Sequence, residues 1–183
     1  MIKSLYPCFR HWSEKGSVYL ISDTHFDDKD CKYMDTHWPT PEEYINKFHF
    51  ITKNDTLIHL GDVGNPEYLT KFKCYKVLIM GNHDQSKTKF EPYFDEIYSG
   101  ILTIGEKLVL SHEPIDISFM FNIHGHDHNP QHRGDYNHCN LASNVIGYRA
   151  LDLKKVIKNG MISKIETLHR ITIDKRSNYY DKF

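Results

Sequence analysis

No apolar run in this 183-residue chain is long enough to cross a bilayer; the longest strand-like stretches are VYLI and VLIM. The first residues, MIKSLYPCFRHWSEKGS, contain no apolar h-region. No secretory signal is read there, and the expected compartment is the cytoplasm. A basic excess is also missing, since 23 Lys and Arg face 24 Asp and Glu for a net charge of −1. That excludes an extended surface gripping many nucleic-acid phosphates, and it leaves single nucleotides open as partners. Close cysteine pairs are absent: Cys8, Cys31, Cys74 and Cys139 are scattered and are expected to be free thiols. The chain has no internal repeat, low-complexity tract or Gly/Ser-rich linker, so no domain boundary is placed. One domain over 1–183 is expected, with 1–16 as an N-terminal extension and 174–183 as a loose tail. The oligomeric state is not legible.

What is present excludes disorder. Apolar residues make up 39% of the chain, and 12 Tyr, 10 Phe and 2 Trp supply ample surface to bury. A chain of this length buries roughly 70% of its unfolded surface. Thirteen histidines are unusually many, which raises the question of whether they meet carboxylates.

Short strands alternate with helical stretches, the pattern of an α/β or layered α+β domain. SVYLIS (17–22) reads as a buried strand, followed by a polar stretch too irregular for an element. Thr40, Pro41 and Glu43 supply the N-cap, N1 and N3 of a capping box, opening a helix to about Ile51 with Tyr44, Ile45, Phe48 and Ile51 on one face. DTLIHL (55–60) and YKVLIM (75–80) are the next strands, with a short helix from Pro66 to Lys71 between them. IYSG/ILTIG, KLVLSH and FNIHGH are further strands, and CNLASNV is read as a last core strand. Asp152 then caps a helix that stops near Gly160.

The polar residues fall at the ends of these strands. Asp23 and His25 follow SVYLIS, Asp62 follows DTLIHL, and Asn82, His83 and Asp84 follow YKVLIM. His112 ends KLVLSH; His126 and His128 follow FNIH. Five strands thus deliver metal-ligand side chains at their C-terminal ends, the edge where open α/β sheets bind ligands. In extended chain, residues i and i+2 point the same way, so Asp23 and His25, or His126 and His128, can share a cation. Asp62 has two oxygens and can bridge two cations. Asn82 offers a neutral carbonyl oxygen. The glycines before Asp62, Asn82 and His126 are expected to let the backbone turn beside a crowded site.

ISDTH, GDVG, GNHD, LSHEP and HGHDH, in this order, resemble the signature of the calcineurin-like metallophosphoesterases, and more closely that of their small bacterial and phage members. The resemblance implies two mixed β-sheets in a sandwich flanked by helices. It implies that Asp23, His25, Asp62 and His128 hold one divalent ion. Asp62, Asn82, His112 and His126 would hold a second, with Asp62 as the bridge. It further implies His83 as proton donor to the leaving group, with Asp84 orienting its ring, and a metal-bridging hydroxide as nucleophile.

The chemistry is coherent in its own right. Two dications roughly 3.5–4 Å apart clamp the attacking and leaving oxygens of an in-line displacement. Two carboxylates against two dications leave a positive centre for a phosphate. The mixed N/O donor set suits Mn2+, Fe2+ or Zn2+, and without thiolates it does not single out zinc. The expected activity is hydrolysis of a phosphate ester, more readily a diester than a monoester, on a small, nucleotide-like substrate. The alternative is a non-catalytic scaffold on the same fold, the role of some members of that family.

Other histidines are read more plainly: His59 as a buried, hydrogen-bonded core residue, His124 as core or as a support of the site, His132 and His138 as parts of a solvated loop. Asp27, Asp28, Asp30 and Asp35 lack the Gly and bidentate Glu of an EF-hand and read as a solvated, substrate-facing loop. Two departures from the family pattern stand out. GDVGNP replaces the usual G-D-x-x-D-R, and Asp27-Asp28 replaces the Gly-His that often follows SDTHF.

Overall fold

Strands β1 (Val18–Ile21), β2 (Thr56–His59), β3 (Tyr75–Ile79) and β4 (Glu96–Tyr98) lie side by side and parallel. The computed structural model describes Trp12 and residues 16–165, and all statements of structure concern these. A two-residue strand near the C-terminal end of this region, β9 (Leu151–Asp152), pairs antiparallel with β1 and completes a five-stranded sheet. A second, four-stranded sheet holds β5 (Leu102–Ile104), β6 (Leu108–Leu110), β7 (Phe121–His124) and β8 (His138–Asn140). Here β5 is antiparallel to β6, and β6, β7 and β8 are parallel.

Side-chain alternation along the strands determines the layers. Val18 and Leu20, Ile58 and Leu60, and Val77 and Ile79 point to one face and pack with Leu108, Leu110, Phe121 and Ile123 of the second sheet. Ile21, Leu57 and Leu78 point to the other face, against Tyr44, Phe48, Leu69, Phe72 and Phe90. With both faces of the first sheet covered, its strands read as nearly unbroken apolar runs. The result is the α/β arrangement expected, two mixed sheets flanked by helices.

The helices are shorter than their sequence patterns suggest. α1 (Cys31–Met34) is a single turn inside the stretch read as irregular. α2 (Pro41–Asn46) opens with the predicted capping box: Thr40 Oγ1 accepts from the Glu43 N–H at 3.3 Å and Glu43 Oε2 accepts from the Thr40 N–H at 2.8 Å. It stops before Ile51 because the chain tightens into i→i+3 turns, Phe48 N–H to Ile45 O and Ile51 N–H to Phe48 O. The segment Pro66–Lys71 has the predicted bounds but is a 3₁₀ helix. α3 (Lys87–Phe90) precedes β4, and α4 (Leu153–Lys158) starts where Asp152 Oδ1 accepts from the Lys154 and Lys155 N–H groups. The expected last strand, CNLASNV (139–145), is much shorter: β8 covers His138–Asn140, starting one residue earlier and ending five earlier, and the chain then enters turns from Ser143.

Trp12 belongs to the segment read as an extension, yet it is buried in the core between the sheets, and its indole N–H donates to Glu96 Oε1 at 2.8 Å. The rest of 1–15 and the tail 174–183 lie outside the described residues. Cys31, Cys74 and Cys139 are free thiols, whereas Cys8 also lies outside. Among the described residues no helix is long and apolar enough to cross a membrane.

Candidate metal centre

The C-terminal ends of β1, β2 and β3 in one sheet and of β6 and β7 in the other meet along one edge of the sandwich. Their following loops are stitched together by backbone bonds: Asp23 N–H to Gly61 O, His25 N–H to Asp62 O, and Gly125 N–H to His112 O. The His126 N–H crosses between the sheets to both oxygens of Asp23, at 3.1 Å each. These contacts bring all seven residues singled out as ligands into two adjoining groups. Asp23, His25 and His128 form one, and Asp62, His112 and His126 the other, each with its donor atoms within 4.8 Å of one another. Asn82 Oδ1 joins the second group, 2.8 Å from His112 Nε2 and 3.0 Å from His126 Nδ1. Asp62 Oδ2 lies between the groups, 3.3 Å from His112 Nε2 and 3.7 Å from His25 Nε2.

Extended chain does not produce the Asp23–His25 pairing. Asp23 (φ 53°) and His25 (φ 42°) both occupy the left-handed region, as do Asp62 (φ 57°) and His126 (φ 67°). Such conformations are uncommon outside glycine, and they cluster where function holds them. The flanking glycines have different roles. Gly61 has φ +100°, so it is needed for conformation. Gly81 and Gly125 are needed for space: a Cβ on Gly125 would lie 1.9 Å from Ser22 Oγ, and one on Gly81 2.3 Å from Asp62 Oδ1.

Hydrogen bonds at the far ring nitrogens reveal where the lone pairs point. His112 Nδ1 donates to Leu60 O at 2.8 Å, so in the neutral ring Nε2 carries the lone pair and faces Asn82 Oδ1, another acceptor. His128 Nδ1 donates to Asn144 Oδ1 at 2.9 Å, and the Asn144 amide is oriented by its own donation to His128 O at 2.8 Å. His25 Nδ1 bonds Asp28 Oδ2 at 3.2 Å, leaving Nε2 buried with no hydrogen-bond partner. A buried unpartnered nitrogen is costly. Imidazole nitrogens, carboxylate oxygens and an amide oxygen that converge this closely are relieved by a cation. A far-side N–H bonded to an acceptor is also the usual support of a metal-bound histidine. The residues present therefore fit divalent metal ions.

Charge balance agrees. Burial works to raise the Asp62 carboxyl, but the hydrogen bond and charge of His112, with the His83 N–H, hold it down at about 2. Burial works against charging His112, yet Asp62 and Asp23 outweigh it and hold the imidazole above its ordinary value. Burial keeps His25 below the usual histidine range despite Asp23 and Asp62. A metal entering the second group must displace the proton His112 tends to keep, so binding weakens as pH falls.

The two catalytic candidates differ in their placement. His83 is exposed, lines the cleft over the metal groups, and lies with its ring 5.6 Å from that of His25; its N–H donates to Asp62 Oδ1 at 2.9 Å. Asp84 does not orient that ring. Its buried carboxylate accepts from the N–H groups of Asp62 (2.8 Å), Gly81 (2.9 Å) and Val63 (3.1 Å), which fixes the two turns carrying Asp62 and Asn82. Unpaired backbone donors at buried strand ends draw the carboxylate inward.

A model of the calcineurin-like phosphoesterase superfamily domain matches residues 17–146. The chain belongs to this superfamily. An uncharacterized protein of Methanocaldococcus jannaschii is 29% identical to this phosphoesterase-superfamily chain, over 77% of it and 89% of the relative. The crystal structure of a protein of unknown function from Aquifex aeolicus superposes with a TM-score of 0.64 at 25% identity, covering 78% of this chain and 98% of that one. A nuclease from Pseudomonas putida aligns more weakly, at a TM-score of 0.45 and 20% identity over 60% of each chain, a likeness too slight to bear on function.

Within this superfamily member, several supporting residues escape the motif reading. Asn144 and Asp28 bond the rings of His128 and His25, and Trp38 packs edge-on against His25 at 6.0 Å and tilted against His128 at 5.8 Å. Asx-rich turns carry no spacing that distinguishes these residues from solvated ones. The acidic stretch read as solvated is exposed at Asp27, Asp28 and Asp30, and it is also tied down. Asp27 accepts from Asn65 Nδ2 (2.8 Å) and the Tyr68 hydroxyl (3.1 Å), and Asp35 from the Tyr148 hydroxyl (2.5 Å). The two departures from the family pattern are thus linked, because Asn65 of GDVGNP holds Asp27. His59 is buried and hydrogen-bonded as expected, and His124 is buried with Nδ1 on Gly125 O, outside both candidate metal-ligand groups. His132 and His138 are anchored to Asp127 and Asp135, both at 2.8 Å.

Proposed function

We propose that this protein is a two-metal phosphoesterase acting on small phosphodiesters. The observation that carries this reading is the convergence of imidazole, carboxylate and amide groups from both sheets on two points that share Asp62, beneath an exposed His83. Asp23, His25, Asp62 and His128 would hold one cation, and Asp62, Asn82, His112 and His126 the other. When bound, such a pair supplies positive charge for the phosphate and lowers the pKa of water so that a nucleophile exists near neutral pH. Neutral Asn82 and the imidazoles add no negative charge to that centre. His83 stands free at the mouth of the cleft to protonate the departing oxygen, a role suited to an imidazole. Asp84, through the backbone, keeps His83 and Asp62 at a constant separation.

The cleft favours a diester. It has a volume of about 510 Å³, and its rim carries Asp28 and Asp30 with the exposed Tyr33 and Met34 and, among the described residues, no Lys or Arg. A dianionic monoester would meet carboxylates with no cationic side chain to offset them, whereas a monoanionic diester carries less charge and an organic group for the Tyr33 side.

Metal-stripped protein titrated with Mn2+ should gain saturable turnover of bis-p-nitrophenyl phosphate and show little with p-nitrophenyl phosphate. His83→Ala should lose 10²-fold or more, on the order expected for a general acid, while still binding Mn2+. Metal uptake without hydrolysis of either ester would leave a scaffold as the better account.

A further inference from the structure

Asp28 lies in the loop after β1 and meets a ring of the metal centre whose other nitrogen is buried without a hydrogen bond. His25 Nε2 is buried and without a hydrogen bond, 3.7 Å from Asp62 Oδ2, while its Nδ1 lies 3.2 Å from Asp28 Oδ2. We propose that Asp28 is a positioning residue of the metal centre: its carboxylate fixes His25 as the Nδ1–H tautomer and aims Nε2 at the cation shared with Asp23 and His128. This rests on the two-metal reading above.

The backbone is built to bring Asp28 there. Left-handed His25 (φ 42°) and Asp27 (φ 65°) turn the chain back on itself, and the Asp28 N–H closes that turn on His25 O at 2.9 Å. The carboxylate is then held from the other side, where Oδ1 accepts from the Asp30 N–H at 2.9 Å. One oxygen is thereby committed to the loop and the other to the ring. Asp27, between them, is pinned to Asn65 and Tyr68, so the turn is anchored to the loop after β2. His112 and His128 rest on neutral acceptors, Leu60 O and Asn144 Oδ1; among the histidines whose far nitrogen is bonded in this centre, His25 alone rests on a carboxylate. A charged acceptor on Nδ1–H makes the ring a stronger donor through Nε2.

Asp28 also lies near His25 and Cys31 in an arrangement that could be taken for a third cation site. The Cys31 thiol is directed at His25 O, 3.8 Å away, and His25 Nδ1 is occupied by Asp28, so two of the three donors are already in use.

The test is Mn2+ binding by the full chain in competition with a chromophoric chelator, resolved into two classes of site, for the wild type, Asp28→Ala and Asp28→Asn. Asp28→Ala should weaken one cation by about 10- to 100-fold and leave the other within about twofold. Asp28→Asn keeps an oxygen for Nδ1–H and should recover most of that loss. Two unchanged affinities in Asp28→Ala would overturn the proposal, as would equal weakening of both cations or a loss in Asn as deep as in Ala. A wild type that binds three ions, one of them abolished by Asp28→Ala, would make Asp28 a ligand and also overturn it. Failure of the wild type to bind Mn2+ at all would instead defeat the two-metal reading itself.

Discussion

His59 shows how a single residue supports the site without touching it. It lies fully buried in β2, where its Nδ1 accepts from the Gly61 N–H at 3.1 Å. Thr24 Oγ1 donates to Val63 O at 2.9 Å and therefore accepts from His59 Nε2–H, also at 2.9 Å. Both ring nitrogens are satisfied only when the ring is neutral, and burial, partly opposed by Asp62, pushes its pKa down to about 3. The unfolded chain titrates near 6.5, so between about pH 6.5 and 3 the unfolded state binds the extra proton. The stabilisation from neutral His59 is complete above about pH 6.5 and is lost as pH falls through that window. Urea midpoints of the metal-free protein should fall from pH 7 to pH 4, and less steeply in His59→Gln. Parallel slopes for the two proteins would refute this. The residue type was read correctly from its apolar neighbours, because a histidine inside a strand buried on both faces has few other outcomes. The role of Asp84 was not, because which donors a buried carboxylate meets depends on how neighbouring strand ends are aligned.

At the scale of elements, the turns after the strands carry the greatest local constraint. Gly125 follows β7 at the point where the second sheet leans on β1, and a methyl there would lie 1.9 Å from Ser22 Oγ and 2.3 Å from Asp23 Oδ2. Gly125→Ala should destabilise the fold by about 1–3 kcal/mol, as overpacking does, and weaken metal binding because Asp23 must move. Circular dichroism melts and chelator competition measure the two effects; an unshifted melt would refute the close packing. At α2, Thr40→Ala removes the cap to the Glu43 N–H and should cost about 1 kcal/mol without altering metal affinity. Capping boxes are local, so that helix start was legible. Its end was not, since the i→i+3 turns through Ile51 follow from packing Phe48 into the core. β9 has two residues, too few for any periodicity, and exists because β1 offers it an edge.

Taken whole, the molecule places its donors on both sheets: Asp23, His25, Asp62 and Asn82 from the first, His112, His126 and His128 from the second. Bound cations should therefore act as cross-links between the sheets. A ligand at one hundred times its dissociation constant adds about 2.7 kcal/mol to the folded state. The melting temperature should rise with the logarithm of Mn2+ concentration and fall on chelation, and the rise should shrink as pH falls, because His112, held above its ordinary value, keeps its proton in competition with the ion. A melt indifferent to Mn2+ would mean that the two groups do not take up the ion. Strand identity, the order of the motifs and the residue types at each strand end were legible in the chain, because side-chain alternation, turn chemistry and donor chemistry are local properties. Docking and turning decided the rest: left-handed backbone, rather than extended chain, that joins Asp23 to His25, the return of Asp28 beneath His25, the approach of Asn144 to His128, and the inward turn of Asp84. Those contacts link residues through the packing of two sheets and the satisfaction of buried donors, and no spacing in a single chain encodes them.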